Sequence, residues 1–420
     1  MNIVLKKSLL TNGQIHLSGS KSISNRVLII KALGQLTFTV NNVSESDDTK
    51  HLQFALEKIK NNVATATQTI DVGHAGTDMR FLTALLAITK GEAILTGSER
   101  LQQRPIALLV EALQQLGADV QYENKQDFPP LRIKGKELIG GKLSIASNIS
   151  SQFISALLLI APYLKNGLEL ELSNEQVSVP YIKMTIDTMQ RFGAEILWNK
   201  NTITVKEIPY FFNDPIFNIE SDWSSASYYY SLVALSEIGT SITIFTLEKE
   251  SLQADALCSS IYKHFGVETV FKNNSIKIIK KQKHETELLK IDFLNCPDIA
   301  QTLACTCLGL AISFEFTGLQ TLKIKETDRI IALQKEFLKF NKTLLTTQNS
   351  LFFDANQKSE APIKPIIIDT YNDHRMAMAF APLCLVQNEI QINNADIVSK
   401  SYPTFWEDLE KIGVCNNYKI

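Results

Sequence analysis

Apolar residues recur with helical spacing in segments that share one pattern of core positions. These segments are RPIALLVEALQQLGADV, VPYIKMTIDTMQRFGAEI, ETDRIIALQKEFLKFNKTL and YPTFWEDLEKIGVC, with an earlier copy, TKHLQFALEKIKNNV. The matching positions, spaced i, i+3, i+7 and i+10, include Ile106, Leu109, Leu113 and Leu116; Ile330, Leu333, Phe337 and Phe340; and Tyr402, Phe405, Leu409 and Ile412. Such spacing places apolar side chains on one face and predicts surface helices that each bury one side.

A residue suited to ending a helix follows these segments at a regular interval. The residues are Gly117, Gly193, Gly266, Asn341 and Gly413, and they recur about every 75 residues. The regular interval indicates an internal repeat, because unrelated helices would not be spaced so evenly. With the earlier copy included, the chain holds six repeats.

A second series of helical segments alternates with the first and is apolar almost all round. Its members are SKSISNRVLII, GHAGTDMRFLTALLAI, NISSQFISALLLI, DWSSASYYYSLVAL, CPDIAQTLACTCLGLAI and YNDHRMAMAFAPLCLV, in which Thr77, Ser151, Ser225, Ile299 and Arg375 occupy equivalent places. Helices of this composition are buried. Segments such as GLELELS and SIKIIKK between the helices have strand composition. We therefore predict an α/β protein of six βαβαββ repeats, three in each of two domains.

The turn-rich segment IPYFFNDPIFNIESD, residues 208–222, separates the third repeat from the fourth and is the natural crossover. The predicted domains are 20–220 and 1–19 with 221–420.

Polar and charged residues collect at the starts of these helices. Lys21, Arg26, Arg80, Ser150, Ser151, Gln152 and Arg375 head buried helices, and Arg104, Ser178, Lys325, Arg329 and Lys400 head surface helices. If the buried helices run roughly parallel, their N-termini converge, and the free N–H groups and positive dipole ends favour anions. Each cation alone could be a solvated surface charge. Their equivalent places favour a site for a small polyanion with phosphate and carboxylate groups.

The overall composition excludes several other functions. The 420 residues carry a formal net charge of -2 and no long Lys/Arg block, which argues against nucleic-acid or membrane-surface binding. The N-terminus lacks the apolar segment of a signal peptide, and the longest apolar run is too short to span a bilayer. The cysteines lack C-x-x-C spacing and are expected to be core thiols. We expect a cytoplasmic protein with no cofactor and no metal.

Four carboxylates at the helix starts are candidates for acid and base chemistry. Asp328 and Asp373 have an alternative role as N-caps, which is the favoured interpretation for both. Asp298 could also be a cap, and Glu326 beside Lys325 could form an exposed ion pair. The residues alone leave Asp298 and Glu326 about evenly balanced between these roles and catalysis.

The motifs, taken in order, resemble those of the 5-enolpyruvylshikimate-3-phosphate synthase family. They are SGSKSISNR, GHAGTDMR, RPI, SSQF, VPYI, PDIA, IKETDR, YNDHRMAMAF and SKSYP, and they extend across nearly the whole chain. KETDR together with NDHRMAM is the most specific pair. The resemblance implies an inside-out α/β barrel, the enolpyruvyl transferase fold, with the active site in the cleft between the domains. It also implies transfer of an enolpyruvyl group from phosphoenolpyruvate to the 5-hydroxyl of shikimate 3-phosphate, with release of phosphate.

The resemblance also assigns roles to individual residues. Shikimate 3-phosphate would contact Lys21, Ser22, Arg26, Ser150, Ser151, Gln152, Ser178, Tyr181, Asp298 and Lys325. Phosphoenolpyruvate would contact Lys21, Gly76, Thr77, Arg104, Gln152, Arg329, Arg375 and Lys400. Asp298, helped by Lys325, would be the base for the 5-hydroxyl and Glu326 the proton carrier for C3. Lys21 is a further candidate for proton transfer, and the division among the three stays open.

Three positions depart from the family pattern: His74 replaces a common asparagine, Phe81 a common proline, and Thr321 an asparagine of some members. Because Gly76 is retained, glyphosate is expected to compete with phosphoenolpyruvate.

One alternative function is that of UDP-N-acetylglucosamine enolpyruvyl transferase, which typically uses a loop cysteine, but here no cysteine precedes Cys258. Another is a non-catalytic polyanion-binding module, which would gain nothing from Asp298 and Glu326 beside the ligand. We expect a monomer that closes on its substrates.

Overall fold

A computed structural model of the chain describes residues 1–61, 67–147, 150–173, 178–358, 365–414 and 416–419. The chain divides into two compact units. The central unit is Gly19–Ile219, and the terminal unit combines Met1–Ser18 with Glu220–Ile420. The terminal unit is therefore built from both ends of the chain.

The described residues form short strands and helices that alternate along the chain. The strands are β1 (Asn2–Lys6), β2 (Gly13–Ile15), β3 (Thr39–Asn41), β4 (Gln68–Asp71), β5 (Gly91–Thr96), β6 (Asp119–Tyr122), β7 (Leu131–Gly135), β8 (Ile139–Ala146), β9 (Lys165–Ser173), β10 (Ile196–Asn199), β11 (Thr202–Val205), β12 (Ile216–Asn218), β13 (Ser241–Phe245), β14 (Val267–Lys272), β15 (Ser275–Lys280), β16 (Leu288–Asp292), β17 (Ser313–Thr317), β18 (Leu344–Thr346), β19 (Leu351–Phe353), β20 (Ile366–Ile368), β21 (Glu389–Ile392) and β22 (Asn416–Lys419).

The helices are α1 (Lys21–Leu33), α2 (Asp47–Lys60), α3 (Gly76–Ile88), α4 (Glu99–Gln102), α5 (Ala107–Gln115), α6 (Ser151–Ile160), α7 (Val179–Arg191), α8 (Trp223–Ala234), α9 (Cys258–Ile261), α10 (Ala300–Leu310), α11 (Arg329–Leu338), α12 (His374–Phe380) and α13 (Phe405–Lys411). Turns of 3-10 helix lie at Ala161–Tyr163, Ala254–Leu257, Tyr262–Phe265, Pro297–Ile299, Gln320–Ile324, Ala381–Leu385 and Ala395–Lys400.

In the part of the chain that the structure describes, five four-stranded sheets carry the repeat, each with one parallel and two antiparallel pairings. In the central unit their strand orders are β4-β5-β7-β6 and β10-β11-β9-β8, and in the terminal unit β20-β21-β1-β22, β14-β15-β13-β2 and β16-β17-β19-β18. The register aligns apolar side chains across a sheet: Ile70 lies beside Leu95, which pairs with Leu131, and all three are buried. This sheet packs against α3, which contacts β5 and β7.

The first repeat departs from the predicted βαβαββ unit. Its strand β3 pairs in parallel with β12, and the described residues give these two strands no further partner. The segment 208–222 was predicted as a turn-rich crossover, and it contains β12. Three residues of this segment, Ile216–Asn218, are therefore extended by pairing with β3, a contact that turn composition does not reveal.

The two helix series differ in burial as predicted. All seven residues of α12 are buried, and so is every residue of α6 except Gln152. On α2 and α5, by contrast, the buried residues are confined to part of the surface. Each buried Leu, Ile or Phe side chain contributes about 1.5–3 kcal/mol by leaving water, so the all-apolar helices form the interiors of the units.

The residues predicted to end the surface helices have the required backbone. Gly117, Gly193, Gly266, Asn341 and Gly413 all have positive φ angles. Glycine adopts this conformation at no steric cost, and asparagine tolerates it.

The cysteines at 258, 296, 305, 307 and 384 are free and buried, while Cys415 lies outside the described residues. None of the helices within the described ranges combines the length and apolarity that a bilayer crossing requires.

Candidate active site

In the central unit, a buried arginine joins the start of α1 to α6 and α7. Arg26 Nε donates to Thr185 Oγ1 at 2.7 Å, and its Nη2 donates at 3.3 Å to both Ser155 Oγ and the Tyr181 carbonyl. Burial lowers the pKa of Arg26 to about 10, although interaction with Tyr181 opposes the shift. The guanidinium stays charged at neutral pH, so it is an anchored cation beside Tyr181.

Lys21, the first residue of α1, is paired with a carboxylate from α2. Its Nζ lies 2.8 Å from Asp48 Oδ2, and the Asp48 side chain is only 5% exposed. The next turn of α1 is fixed to α3, because Asn25 Nδ2 donates to Asp78 Oδ1 at 2.7 Å. Asp48 was not among the predicted site residues. It lies in a surface-helix segment, where an acidic first turn is ordinary.

The starts of α3 and α6 are joined through polar side chains. Gln152 Nε2 donates to Thr77 Oγ1 at 3.1 Å, which brings two of the predicted ligand contacts together. Arg80 is buried, and its Nη1 donates to the Gly76 carbonyl at 3.0 Å. Burial, with a smaller contribution from the charge of Arg104, lowers the pKa of Arg80. The α3 start is therefore flanked by two guanidinium groups.

Gly76 permits the close approach of one of them. A Cβ built at Gly76 would lie 2.5 Å from Arg104 Nη1 and 3.1 Å from its Cζ. Any larger residue must displace this guanidinium.

On the role that the family resemblance implies for Arg104, we predict that Gly76→Ala raises the KM for phosphoenolpyruvate about tenfold, because the displaced guanidinium would lose a charge-assisted hydrogen bond to that substrate. Steady-state phosphate release at varied phosphoenolpyruvate measures the effect, and circular dichroism of the variant is the control for its folding. A KM within twofold of the wild-type value would contradict the prediction.

The serines predicted to hold a phosphate lie at the starts of α6 and α7. Ser150 is the N-cap of α6, and its Oγ accepts from the Gln152 N–H at 3.3 Å. Ser178 caps α7 with a left-handed backbone, φ 55°, and its carbonyl accepts from the Tyr181 N–H at 3.0 Å. Ser151 and Ser178 are both largely buried. Helix N-termini with short hydroxyl side chains are suited to phosphate oxygens.

In the terminal unit, one buried arginine holds three carboxylates. Arg329 is 2% exposed, and it lies 2.7 Å from Asp373, 3.0 Å from Asp298 and 3.0 Å from Glu326. Burial disfavours its charge, but Asp373, Glu326 and Asp298 together raise the pKa of Arg329 above its usual value. We call Asp298, Lys325, Glu326, Arg329, Asp373, Arg375 and Lys400 the terminal cluster.

The other cations of the terminal cluster contact the same carboxylates. Asp298 lies 3.2 Å from Arg375 and 3.4 Å from Lys325, and Lys400 Nζ lies 2.7 Å from Glu326 Oε1. Glu326 is thus part of a largely buried network and not of an exposed pair. Burial opposes ionisation of Asp298, but Arg375, Lys325 and Arg329 hold its pKa well below the usual range.

The pKa of Lys325 is lowered as well, but for a lysine this shift favours the neutral form. Burial lowers its pKa, Asp298 raises it, and the charge of Arg329 lowers it further. A lysine with a lowered pKa gives up and recovers a proton more readily near neutral pH.

Asp328 and Asp373 have the N-cap role that was the favoured interpretation for both. Asp328 Oδ1 accepts from the N–H groups of Ile330 and Ile331, and Asp373 Oδ1 accepts from the Arg375 N–H at 2.9 Å. Both are N-caps, and Asp373 also binds Arg329.

Three cations predicted at surface-helix starts lie before those starts instead. They are Arg104, which precedes α5; Lys325, which follows the 3-10 turn Gln320–Ile324; and Lys400, which ends the turn Ala395–Lys400.

The three positions that depart from the family pattern have definite surroundings. His74 Nδ1 lies 2.8 Å from Ser98 Oγ, and the Phe81 ring packs 5.4 Å from the Arg26 guanidinium. Thr321 Oγ1 is buried with no hydrogen-bond partner among the described residues.

The central unit thus gathers cations and hydroxyl groups at or near its helix starts, and the terminal cluster combines cations with carboxylates. Within the described ranges, no three His, Cys, Asp or Glu side chains are grouped so that they could hold a metal ion. Cations of this kind bind phosphates and carboxylates, and carboxylates beside them transfer protons. The fold and its polar groups define an enzyme class that acts on small anions by acid and base chemistry.

Comparison with known proteins identifies the family within that class. The family described as EPSP synthase (3-phosphoshikimate 1-carboxyvinyltransferase) matches residues 6–409. A 3-phosphoshikimate 1-carboxyvinyltransferase of Bacteroides fragilis (strain YCH46) is 46% identical over 95% of both chains. One of Colwellia psychrerythraea is 34% identical over 96% of this chain and 97% of that protein. The solved EPSP synthase of Acinetobacter baumannii has a TM-score of 0.78 at 19% identity, covering 99% of both chains, and shows the same fold.

The chain belongs to the EPSP synthase (3-phosphoshikimate 1-carboxyvinyltransferase) family. The predicted fold class and enzyme class are confirmed. The predicted reaction, enolpyruvyl transfer from phosphoenolpyruvate to shikimate 3-phosphate in aromatic amino acid biosynthesis, is the one that the family supports. Neither UDP-N-acetylglucosamine enolpyruvyl transfer nor a non-catalytic binding role is favoured.

Proposed function

We propose that the polar groups of the two units act on one molecule each of shikimate 3-phosphate and phosphoenolpyruvate. The serines at 150, 151 and 178 bind the shikimate phosphate, and Arg26 binds the shikimate carboxylate beside Tyr181. Lys21, Arg104, Gln152 and Lys400 bind the phosphate of phosphoenolpyruvate. Arg329 and Arg375 bind its carboxylate. The observation that carries this proposal is the terminal cluster, in which carboxylates share cations that an anionic substrate can recruit.

Asp298 is the proposed base for the 5-hydroxyl. Its depressed pKa keeps it ionised at neutral pH, as a base requires, and Lys325 lies close enough to share the proton. As the hydroxyl oxygen bonds to C2 of phosphoenolpyruvate, the hydroxyl proton passes to Asp298. The double-bond electrons of the enol form a new C–H bond at C3, and the product is a tetrahedral adduct.

Glu326 is the proposed proton donor to C3. In the substrate-free protein its carboxylate is shared by Lys400 and Arg329. When the phosphate and carboxylate of phosphoenolpyruvate engage these cations, Glu326 loses part of the charge that stabilises its ionised form, and protonation is favoured. In the second step, Glu326 removes a proton from C3, the C2–O bond to phosphate breaks, and the enol ether forms. Lys21 is retained as a further candidate proton carrier.

Measuring phosphate release with two different acceptor substrates tests the proposed function. Phosphate release from phosphoenolpyruvate should depend on shikimate 3-phosphate and be at background with UDP-N-acetylglucosamine, because the serine and Arg26 groups match a small phosphorylated carboxylate. Release with the nucleotide sugar would assign the protein to the other transferase activity. Binding of shikimate 3-phosphate without release would support the non-catalytic alternative.

We also propose that the protein works as a cytoplasmic monomer. The five cysteines that the structure describes are buried free thiols, which is compatible with a reducing compartment. Light scattering during size-exclusion chromatography checks the oligomeric state against the 47.0 kDa of one chain.

A further inference from the structure

A buried aspartate next to the terminal cluster has no role in the mechanism above. Asp255 lies in the 3-10 turn Ala254–Leu257 and is 3% exposed. Its Oδ2 accepts a hydrogen bond from Ser224 Oγ. Its Oδ1 has no hydrogen-bond partner among the described residues. One hydroxyl group therefore provides the hydrogen bond that fixes this buried carboxyl group.

The Ser224 hydroxyl group also contacts Arg375, the arginine proposed to bind the carboxylate of phosphoenolpyruvate. Arg375 Nη2 lies 3.4 Å from Ser224 Oγ, and that nitrogen also lies 3.2 Å from Asp298 Oδ2. The four side chains come from separate elements: the turn 254–257, the first turn of α8, α12 and the turn Pro297–Ile299. Their contacts form a continuous path from Asp255 through Ser224 and Arg375 to the proposed base.

We propose that Asp255 is a positioning residue, which acts through the Ser224 hydroxyl to set the direction of the Arg375 guanidinium. The inference rests on the proposed function, in which Arg375 binds the carboxylate of phosphoenolpyruvate. A guanidinium group recognises a carboxylate through a planar fork of N–H donors, so its affinity depends on orientation. With Ser224 on one side and Asp298 on the other, Nη2 is held between two acceptors.

The charge of Asp255 also matters, because a second carboxylate beside Arg375 would compete with the substrate carboxylate. Burial, and then the negative charge of Asp298, raise the pKa of Asp255 to about 7, against the attraction of Arg375. The groups that interact with it are Asp298, Arg375, Asp222, Cys258 and Cys296. Below about pH 7 the neutral carboxyl group orients Arg375 without competing for it. Above that pH its charge opposes binding of the donor.

Kinetics of phosphate release with both substrates varied separately test this role. Ser224→Ala and Asp255→Ala are each expected to raise the KM for phosphoenolpyruvate about tenfold and to change that for shikimate 3-phosphate less than twofold. The double variant should be no worse than the more impaired single variant, because both changes break the same path. Ser236→Ala is the matched control, since its hydroxyl donates to the Leu232 carbonyl at the other end of α8.

The pH profile separates positioning from a structural role. Asp255→Asn keeps an acceptor for Ser224 and removes the charge. It should match the wild type near pH 6 and lack the wild-type rise in the KM for phosphoenolpyruvate between about pH 7 and 9. Titration of the substrate phosphate affects both proteins equally and cancels in the comparison.

Two results would overturn the inference while leaving the proposed function intact: equal increases in both KM values, or an additive double variant. An inactive wild-type protein would instead remove the proposed function itself. Circular dichroism confirms that the variants fold. If Asp255→Ala does not fold, Ser224→Ala and Asp255→Asn still decide the question, because Ser224 is only half-buried and asparagine matches aspartate in shape.

Discussion

Replacing Asp298 with asparagine is expected to lower kcat for phosphate release about a thousandfold, the range typical of losing a general base. Asparagine keeps the shape and one acceptor oxygen, which can serve Arg329 or Arg375 but not both, and it cannot take the proton of the 5-hydroxyl. Because the cations that bind substrate remain, the KM values should change far less than kcat. Steady-state phosphate release with shikimate 3-phosphate gives both quantities.

Asp292→Asn is the matched control, because Asp292 is exposed six residues earlier and its Oδ1 accepts from the Leu294 N–H. It should retain full activity. An Asp298→Asn protein with more than a tenth of wild-type kcat would show that another group is the base. Lys21 would be the next to replace.

The same substitution should change how stability depends on pH. Asp298 has a lower pKa in the folded protein than in the unfolded chain, so its ionised form stabilises the fold above about pH 4. That stabilisation is lost as the pH falls through the depressed value. The asparagine variant should therefore lose less stability on acidification than the wild type does.

Replacing Arg329 with methionine is expected to destabilise the terminal unit by about 3–5 kcal/mol, as when one partner of a buried ion pair is removed. Asp373 is fully buried, while Asp298 and Glu326 are mostly so, and all three lose a shared cation. Urea unfolding monitored by circular dichroism measures the loss. Arg191→Met, at the exposed end of α7, is the control and should change stability by less than about 0.5 kcal/mol.

A second replacement identifies the cause. If the loss comes from uncompensated charge, Asp373→Asn added to Arg329→Met should recover part of the stability, although each change alone is harmful. A further loss in the double variant, or a loss below about 1 kcal/mol in Arg329→Met, would mean that packing around the side chain matters more than charge.

The helices and their ends could be predicted from the sequence because the controlling pattern is local. The spacing from Ile330 to Phe340 reflects burial on one face of α11, and the left-handed residue Asn341 follows three positions after that helix. Asp328 and Asp373 were expected as N-caps for the same reason, since a cap bonds to N–H groups two or three residues ahead. The assignments of residues to substrates remain predictions.

The partners of these residues could not be predicted in the same way. Lys21 forms an ion pair with Asp48, and Arg375 contacts Ser224 and Asp298. These contacts join elements that lie far apart in the chain. Nothing in an acidic helix start such as that of α2 distinguishes a buried ion-pair partner from a solvated charge. The pairing of β3 with β12 was missed for a similar reason, because it joins segments that lie at opposite ends of the central unit.

The place of β1 in its sheet has a consequence for synthesis on the ribosome. Ile3 pairs with Ile392, so β1 is synthesised long before β21, the strand that it pairs with. The central unit, Gly19–Ile219, is contiguous and can fold while translation continues. During that time the apolar run Ile3, Val4 and Leu5 is without its final partners and is a natural site for a chaperone to bind. The terminal unit is therefore expected to complete its folding late, since the pairing of β1 with β21 closes a loop of nearly the whole chain.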